Sequence, residues 1–405
     1  MKDRAFVEMG FHMMSDAART LRLGVAGLGR AFTVMLPTLT RDPRIRLVAA
    51  ADPRAEARAR FAADFGGKTY DDVEALCADP AVEAVYVASP HQLHAAHARL
   101  AAAHGKHILV EKPVAISLED AAAMIEVARA ARVHLVVGHS HSFDAPVRRT
   151  RELIDSGQFG AVRMINAFNY TDFLYRPRRP EELDTAQGGG AVFNQAAHQV
   201  DIVRLIGGGR VKSVRAATGA WDPARPTEGA YAALLTFENG AFASLSYEGY
   251  GHFDSDEFQG WIGEMGQQKQ PFAARPPREF SDAVEETAFQ NARNYGGPDY
   301  RAPSVQPLQH QHFGPLIVSC EHADLRPLPN GVMIYQNGAA RLDALPPPAV
   351  PRAEVIDELY GAVAEGRPPL HDGAWAMASL EVCLAILSSA REGCDVALKY
   401  QVGLP

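Results

Sequence analysis

Cysteine is scarce in this 405-residue chain, and Cys77, Cys320, Cys383 and Cys394 contain no CxxC pair. Four isolated thiols cannot staple a chain of this length and lack zinc-module spacing, so the expectation is a reduced, cytoplasmic protein. Also missing is any run of eighteen uninterrupted apolar residues, which predicts no membrane span. The opening MKDRAFVEMGFHMMSDAART has neither the apolar core nor the cleavage site of a signal peptide, and residues 1–18 read as an extension. Basic charge is not in excess: 40 Lys and Arg against 48 Asp and Glu give a formal charge of −8. That balance argues against broad nucleic-acid binding, yet leaves room for a small anion met by a few local arginines. No repeat of fixed period is present.

What is present is enough apolar material, 47% of residues, for more than one core, and a length that suggests two domains. From Leu21 to Val137, β-branched or apolar runs (LRLGVAG, IRLVAAADP, AVYVAS, HILVEKP, HLVVGHS) alternate with alanine-rich helical stretches. This order predicts a mainly parallel sheet covered by helices on both faces, an α/β Rossmann domain over residues 19–150. After residue 150, VRMINAFNY, VKSVRAATGAW, YAALLTFENG and AFASLSYEGY follow one another with few helices between them. They predict an α+β domain with a large mixed or antiparallel sheet over residues 151–405. Residues 255–310, rich in Gln, Pro, Gly and Arg, read as an irregular insertion, a lid or a subunit contact.

LRLGVAGLGRAF places Gly27 and Gly29 where a strand turns into a helix, with Arg30, Ala31 and Phe32 opening that helix. Gly27 suits the tight turn, and Gly29 suits close approach of a pyrophosphate to free helix amides. Phe32 stands where a full GxGxxG has its last glycine. Asp52, at the end of the next apolar run, suits the two hydroxyls of an adenosine ribose and favours NAD, while Arg30 and Arg54 leave NADP open. SPHQLH brings Ser89, Pro90 and His94 to the carboxyl edge of the sheet, and His94 reads equally well as a helix-start contact. Glu111, Lys112 and Pro113 end a strand at the same edge, where open parallel sheets present their ligands.

Oxidation of an alcohol removes a hydroxyl proton while hydride leaves the same carbon. Lys112 suits the oxygen and its growing negative charge, and a neutral histidine suits the proton. In GGGAVFNQAAHQVD, residues 188–201, helical spacing puts Asn194 and His198 on one face with Asp201 beside them. His198 then reads as acid/base, Asn194 as a hydrogen-bonding orienter, and Asp201 as a partner of His198 or a structural group. A buried polar cluster joining two domains is the alternative for His198 and Asp201. His310, His312, His322 and Asp324 form an HxH and HxD pattern, for which a pocket or subunit-contact role is preferred over a metal.

GVAGLGRAF, Asp52, SPHQLH, EKP and the GGG…N…H…D run together resemble the Gfo/Idh/MocA oxidoreductases. The resemblance covers nearly the whole chain. It implies a Rossmann domain, an α+β domain whose open sheet supports a homodimer or homotetramer, and a catalytic lysine matching Lys112. The family helix carries Asp-x-x-x-His, matching Asn194 and His198, so this chain has an amide where relatives have a carboxylate. In VGHSHSFD, His139, Ser140 and His141 replace aromatic, amide and basic residues of sugar-acting relatives, which counts against a sugar pocket. Arg176, Arg178 and Arg179 in FLYRPRRPEELD suit recognition of more than one carboxylate, with a solvated basic loop as the alternative. With QHQHFGPLIVSCEHADLRPLPNGVMIYQNG they make the chain resemble the phthalate 4,5-dihydrodiol dehydrogenases. That narrower resemblance implies a small anionic aromatic diol as substrate, with Arg176, Arg178, Arg179 and His141 around it. A sugar or polyol dehydrogenase and a non-catalytic nucleotide-binding regulator are the alternatives.

Overall fold

The structure is a computed structural model and describes residues 19–272, 279–302 and 309–405. The expected extension 1–18, and residues 273–278 and 303–308 of the expected insertion, lie outside the described residues.

The first sheet holds β1 (Leu21–Ala26), β2 (Ile45–Ala51), β3 (Lys68–Tyr70), β4 (Ala84–Val87), β5 (His107–Val110) and β6 (Leu135–Val137). All pairs are parallel in the order β3-β2-β1-β4-β5-β6. Strands β4 and β6 are buried at every position, as near-continuous Val, Leu, Ala and Tyr runs should be when helices cover both faces. Strand order reverses between β1 and β4, which opens a crevice beyond their carboxyl ends. The three-residue β3 and the helix Val73–Ala78 are additions to the expected elements; KTY is too short for a periodic signal.

The second sheet contains β7 (Val162–Tyr170), β8 (Val211–Gly219), β9 (Ala230–Phe237), β10 (Phe242–Glu248), β11 (Leu316–Cys320), β12 (Asp324–Leu328), β13 (Gly331–Gln336), β14 (Ala339–Ala344) and β15 (Val396–Ala397). Its order is β14-β13-β12-β11-β7-β10-β9-β8-β15, and only the β7–β10 pair is parallel. One cross-strand row, Leu235, Ala243, Ile165 and Val318, is buried beneath helices. The adjacent row, Leu234, Ser244, Asn166 and Ile317, lies on the opposite face, where Leu234 and Ile317 are exposed.

The helix Gly373–Glu392 joins the two halves. Trp375, Val382 and Ile386 pack in the core of the second sheet, and Ala376, Met377 and Leu380 pack with β5 and β6. It is long and apolar enough to cross a membrane, but 67% of its most apolar window is buried, which marks a core helix. The insertion also bridges both halves. Its helix Ala283–Arg293 presents Glu286 to the Arg178 main-chain N–H (2.7 Å) and to Arg225 (2.8 Å). Beyond it, Tyr295 is fully buried against Phe32, with ring centroids 5.1 Å apart, and its hydroxyl donates to Asp64.

Candidate functional site

At the crevice, Gly27 has φ +101°, and a Cβ there would stand 2.9 Å from the Ala88 carbonyl oxygen, so the turn needs glycine. Gly29 faces open space, and no side chain caps the helix Arg30–Arg41 behind it. Free amides beside open space fit a dinucleotide pyrophosphate. Arg30 is exposed on the first turn and Ala31 is half-buried. Phe32 points inward onto Phe61 and Tyr295, so only its main chain faces the crevice, and the missing third glycine is explained by an aromatic ring used as core.

Asp52 ends β2 as a buried carboxylate. One oxygen accepts Leu28 N–H (2.8 Å) and Arg54 Nη2 (3.2 Å); the other accepts Arg54 N–H (2.9 Å) and Nε (3.1 Å). Those bonds use its acceptor capacity, so a ribose diol at Asp52 has to replace the Arg54 guanidinium. Arg54 also donates to the carbonyls of Leu28 and Tyr295, which ties the insertion to this end of the crevice. Ser89 Oγ bonds His97, and Pro90 leads into the short turn His91–Leu93. His94 is fully buried, with its ring nitrogens 2.9 Å from the Pro113 and Ser89 carbonyl oxygens; burial lowers its pKa to about 4. It fastens two crevice loops together through both ring nitrogens. Glu111 likewise turns into the sheet, where Tyr86 donates to it at 2.5 Å.

Lys112 follows β5, and its Nζ donates to the main-chain carbonyl of Asn194 at 2.7 Å. Burial lowers its pKa to about 8, against the opposing pull of Glu111 and Glu264. The expected helix occupies residues 190–207 but contains a π-turn at Val192–Ala196. A π-turn widens the helix and disturbs the regular carbonyl ladder, a feature common at functional sites. Asn194 Nδ2 donates back to the Gly190 carbonyl (2.9 Å). One N–H of the expected orienting amide is therefore used within its own helix, which leaves the other N–H and Oδ1, and the residue's main-chain oxygen meets Lys112. Glu228 accepts Val192 N–H at 3.0 Å, and Gly190, at φ +80°, passes so close that a Cβ would lie 2.1 Å from the Glu228 carboxylate.

His198 lies on the same helix and is buried, and its Nδ1 has no hydrogen-bond partner among the described residues. Its ring centroid is 4.8 Å from His141 and 5.0 Å from Phe313. Burial, then the charges of Lys112 and His141, push its pKa well below the ordinary histidine value, so it is a neutral imidazole. Asp201 does not partner it. The Asp201 carboxylate accepts Ser142 (2.5 Å), Trp375 Nε1 (2.6 Å) and Ser379 (2.8 Å), joining three segments. Its sequence neighbourhood suggested His198 because they share a helix, but three closer donors surround it. Asp201→Ala leaves those donors unpaired in the interior and is expected to cost about 3 kcal/mol of stability, read as a lower urea midpoint at unchanged slope.

His141, expected at the substrate, is 1% exposed and has both ring nitrogens engaged, Nδ1 by Asp144 (2.7 Å) and Nε2 by Glu264 (3.4 Å). The structure thus places it behind the cleft surface. Of the three arginines, Arg179 is occupied by Glu181 (3.2 Å) and Glu182 (3.4 Å), and the half-exposed Arg176 by Asp172 (2.9 Å). Arg178 is less fully engaged: its guanidinium lies 3.8 Å above the Phe173 ring, Nη2 donates to the Phe173 carbonyl (2.6 Å), Nη1 stands 3.8 Å from Glu182, and its buried Nε has no partner among the described residues. Burial lowers its pKa to about 10, still cationic at neutral pH.

Two groups escaped the sequence. Glu264, in the irregular WIGEMG stretch, is ionised with a pKa of about 2; burial opposes its charge, but His141, Arg176 and Arg352 outweigh that effect. Arg352, after a proline-rich run, acts on Lys112, His139, His198 and Glu264 through its charge. Neither lies in a periodic segment, so no spacing pointed to them. His310 and His312 are not on a strand; their Nε2 atoms meet the carbonyls of Pro346 and Ile262 at 2.8 Å. His322 is exposed and Asp324 opens β12.

A sequence model described as an oxidoreductase family with an NAD-binding Rossmann fold matches residues 21–139, and a model of the Gfo/Idh/MocA C-terminal domain matches residues 147–259. The chain belongs to the Gfo/Idh/MocA family. This Gfo/Idh/MocA protein is an NAD(P)-dependent oxidoreductase acting on a CH–OH donor, and the regulatory, non-catalytic alternative gives way. It is 48% identical over 377 residues, 92% of this chain and 95% of the relative, to 1-carboxy-3-chloro-3,4-dihydroxycyclohexa-1,5-diene dehydrogenase of Comamonas testosteroni. A solved structure from Bordetella bronchiseptica RB50, described as a dehydrogenase, shares 43% identity at TM-score 0.86 over 94% of this chain and all of that one. Levoglucosan dehydrogenase, solved with NADH and levoglucosan, shares the fold at 19% identity and TM-score 0.69, over 94% of this chain and 99% of that one.

Proposed function

We propose that this enzyme oxidises a carboxylated aromatic cis-dihydrodiol with NAD, and that its substrate is phthalate 4,5-cis-dihydrodiol, converted to 4,5-dihydroxyphthalate. The observation that carries the reading is Arg178, on the loop before the helix that bears Asn194 and His198: Nη2 donates to the Phe173 carbonyl (2.6 Å) and Nη1 lies 3.8 Å from Glu182, but Nε finds no acceptor among the described residues. A buried donor without an acceptor is costly unless a ligand supplies one. The Comamonas relative, whose name describes a carboxylated dihydroxycyclohexadiene, supports the same class.

Bound NAD supplies the hydride acceptor. Arg178, with Arg176 beside it, holds substrate carboxylates and so fixes the ring against the crevice. Lys112, steadied by the Asn194 carbonyl, donates to the reacting hydroxyl oxygen and carries its growing negative charge. His198, neutral in its buried site, takes the hydroxyl proton. The resulting enone tautomerises, the carbon bearing the second hydroxyl giving up its proton while the ketone oxygen gains one, and the ring becomes aromatic, which drives the overall oxidation forward.

Lys112 contributes as a cation, and its pKa is depressed to about 8, so its function is complete below that value and lost as pH rises through it. The expected kcat/KM profile has an alkaline limb near pH 8 that Lys112→Arg moves upward. A profile flat to pH 10 in the unaltered enzyme contradicts that assignment. Free thiols at all four cysteines support a cytoplasmic setting, and the exposed row with Leu234 and Ile317 supports a homodimer or homotetramer through the open sheet face.

NADH formation across phthalate cis-dihydrodiol, its positional isomers and neutral polyols tests the reading. Turnover of the dicarboxylate diol supports it. Turnover confined to polyols replaces it with the sugar-dehydrogenase alternative.

A further inference from the structure

His141 faces carboxylates with both ring nitrogens, Asp144 Oδ2 at 2.7 Å and Glu264 Oε1 at 3.4 Å. A neutral imidazole carries one N–H, and here both acceptors are carboxylates, whose charge favours the second proton where the two carbonyls around His94 do not. Charge balance points the same way. Asp144 is buried, and a buried carboxylate without a compensating cation is strongly unfavourable. Its second neighbour, His139 at 3.2 Å, is driven neutral by burial, so the compensating charge falls on His141. Burial disfavours that charge, but Asp144 and Glu264 outweigh it and His141 is raised above its ordinary pKa.

Glu264 is fixed in place to do this. Its carbonyl accepts His312 N–H at 3.3 Å, and the turn around it is closed by the Gly263 N–H on the Gln267 carbonyl at 2.7 Å. The groups facing His141 are therefore Asp144, Glu264, His139, His198 and His312. Those facing His198 are Lys112 from the end of β5, His139 and His141 from the loop after β6, and Arg352 from the segment before the helix Ala353–Glu365. Among the described residues no ion pair joins His198 to a carboxylate, and the two carboxylates on His141 stand one ring contact away.

We propose that Asp144 and Glu264 are positioning residues that hold His141 as an imidazolium across the neutral range, and that this cation, one ring contact away, adds to burial and the Lys112 charge in keeping His198 in its neutral, proton-accepting form. Two imidazoles whose centroids are 4.8 Å apart in a buried site resist carrying charge together. The second half of the proposal rests on His198 being the acceptor; the first half does not.

The test is long-range proton–nitrogen NMR of the full chain labelled at histidine nitrogens, from pH 4 to 9, with single substitutions for assignment and a His198 that stays singly protonated throughout read as a midpoint below the window. His141 is expected to show two protonated nitrogens at pH 7, and His198 one. In Glu264→Gln the His141 midpoint falls by about one pH unit or more. In His141→Gln the His198 midpoint rises by about one unit or more, and the acid limb of kcat/KM moves up by the same amount, about a 10-fold loss below it. A neutral His141 at pH 7 in the unaltered protein, or a His198 midpoint unmoved in His141→Gln, overturns the proposal. Full activity in His198→Asn sinks the acceptor assignment instead, and the His141 titration then still decides whether its two carboxylates hold it charged.

Discussion

Lys112→Ala is expected to lower kcat by about 1000-fold or more while leaving NAD affinity within about 3-fold. The separation follows from the architecture. The dinucleotide turn, the uncapped helix start and Asp52 are built on β1 and β2, whereas Lys112 stands at the end of β5 and reaches across to Asn194. Removing the ammonium takes away the only proposed donor to the developing alkoxide without disturbing those strands. Asn194→Ala is the informative partner. Because its amide donates to Gly190 and its main chain holds Lys112, the substitution is expected to cost less than about 10-fold in kcat. Steady-state kinetics with NAD binding followed by fluorescence read both effects. Equal losses in the two variants mean that the Asn194 side chain acts on substrate directly.

Arg178→Met is expected to raise KM for the dicarboxylate diol by about 100-fold, with KM for NAD unchanged, because the side chain contributes charge-assisted bonds worth about 1.5–3 kcal/mol each. Methionine keeps much of the apolar stem on Phe173, which limits the structural cost. Arg179→Met, two bonds to Glu181 and Glu182 removed from a half-exposed side chain, is expected to change KM less than about 3-fold. Three arginines in one short stretch look equivalent as letters. Their partners make them different, and a large effect at Arg179 with none at Arg178 moves the carboxylate site to the other face of the loop.

The fold was legible because its signals are periodic. Near-continuous apolar strands alternating with helices predict a parallel sheet, and successive strands without crossovers predict the second one; both are present. The site was legible where a residue type at the end of a strand has a chemical meaning, as for Lys112 and Asp52. It was less legible where packing decides. Nothing in FNQAAHQ announces a π-turn, so helical spacing gave no sign that one Asn194 N–H would bond within its own helix or that its main-chain oxygen would meet Lys112. Asp201 shares a helix with His198, yet its donors come from Ser142, Trp375 and Ser379, distant in sequence. Glu264 and Arg352 enter through irregular segments, whose positions depend on long-range contacts that no local pattern records.

The most direct test of the convergence claimed for Lys112, His198 and Arg178 is a crystal structure of the enzyme with NAD and 4,5-dihydroxyphthalate. The account predicts Lys112 Nζ and the His198 ring both within about 3 Å of one ring hydroxyl, with the Arg178 guanidinium on a carboxylate. A product bound with either Lys112 or His198 more than about 6 Å from both hydroxyls, in a closed crevice, contradicts it.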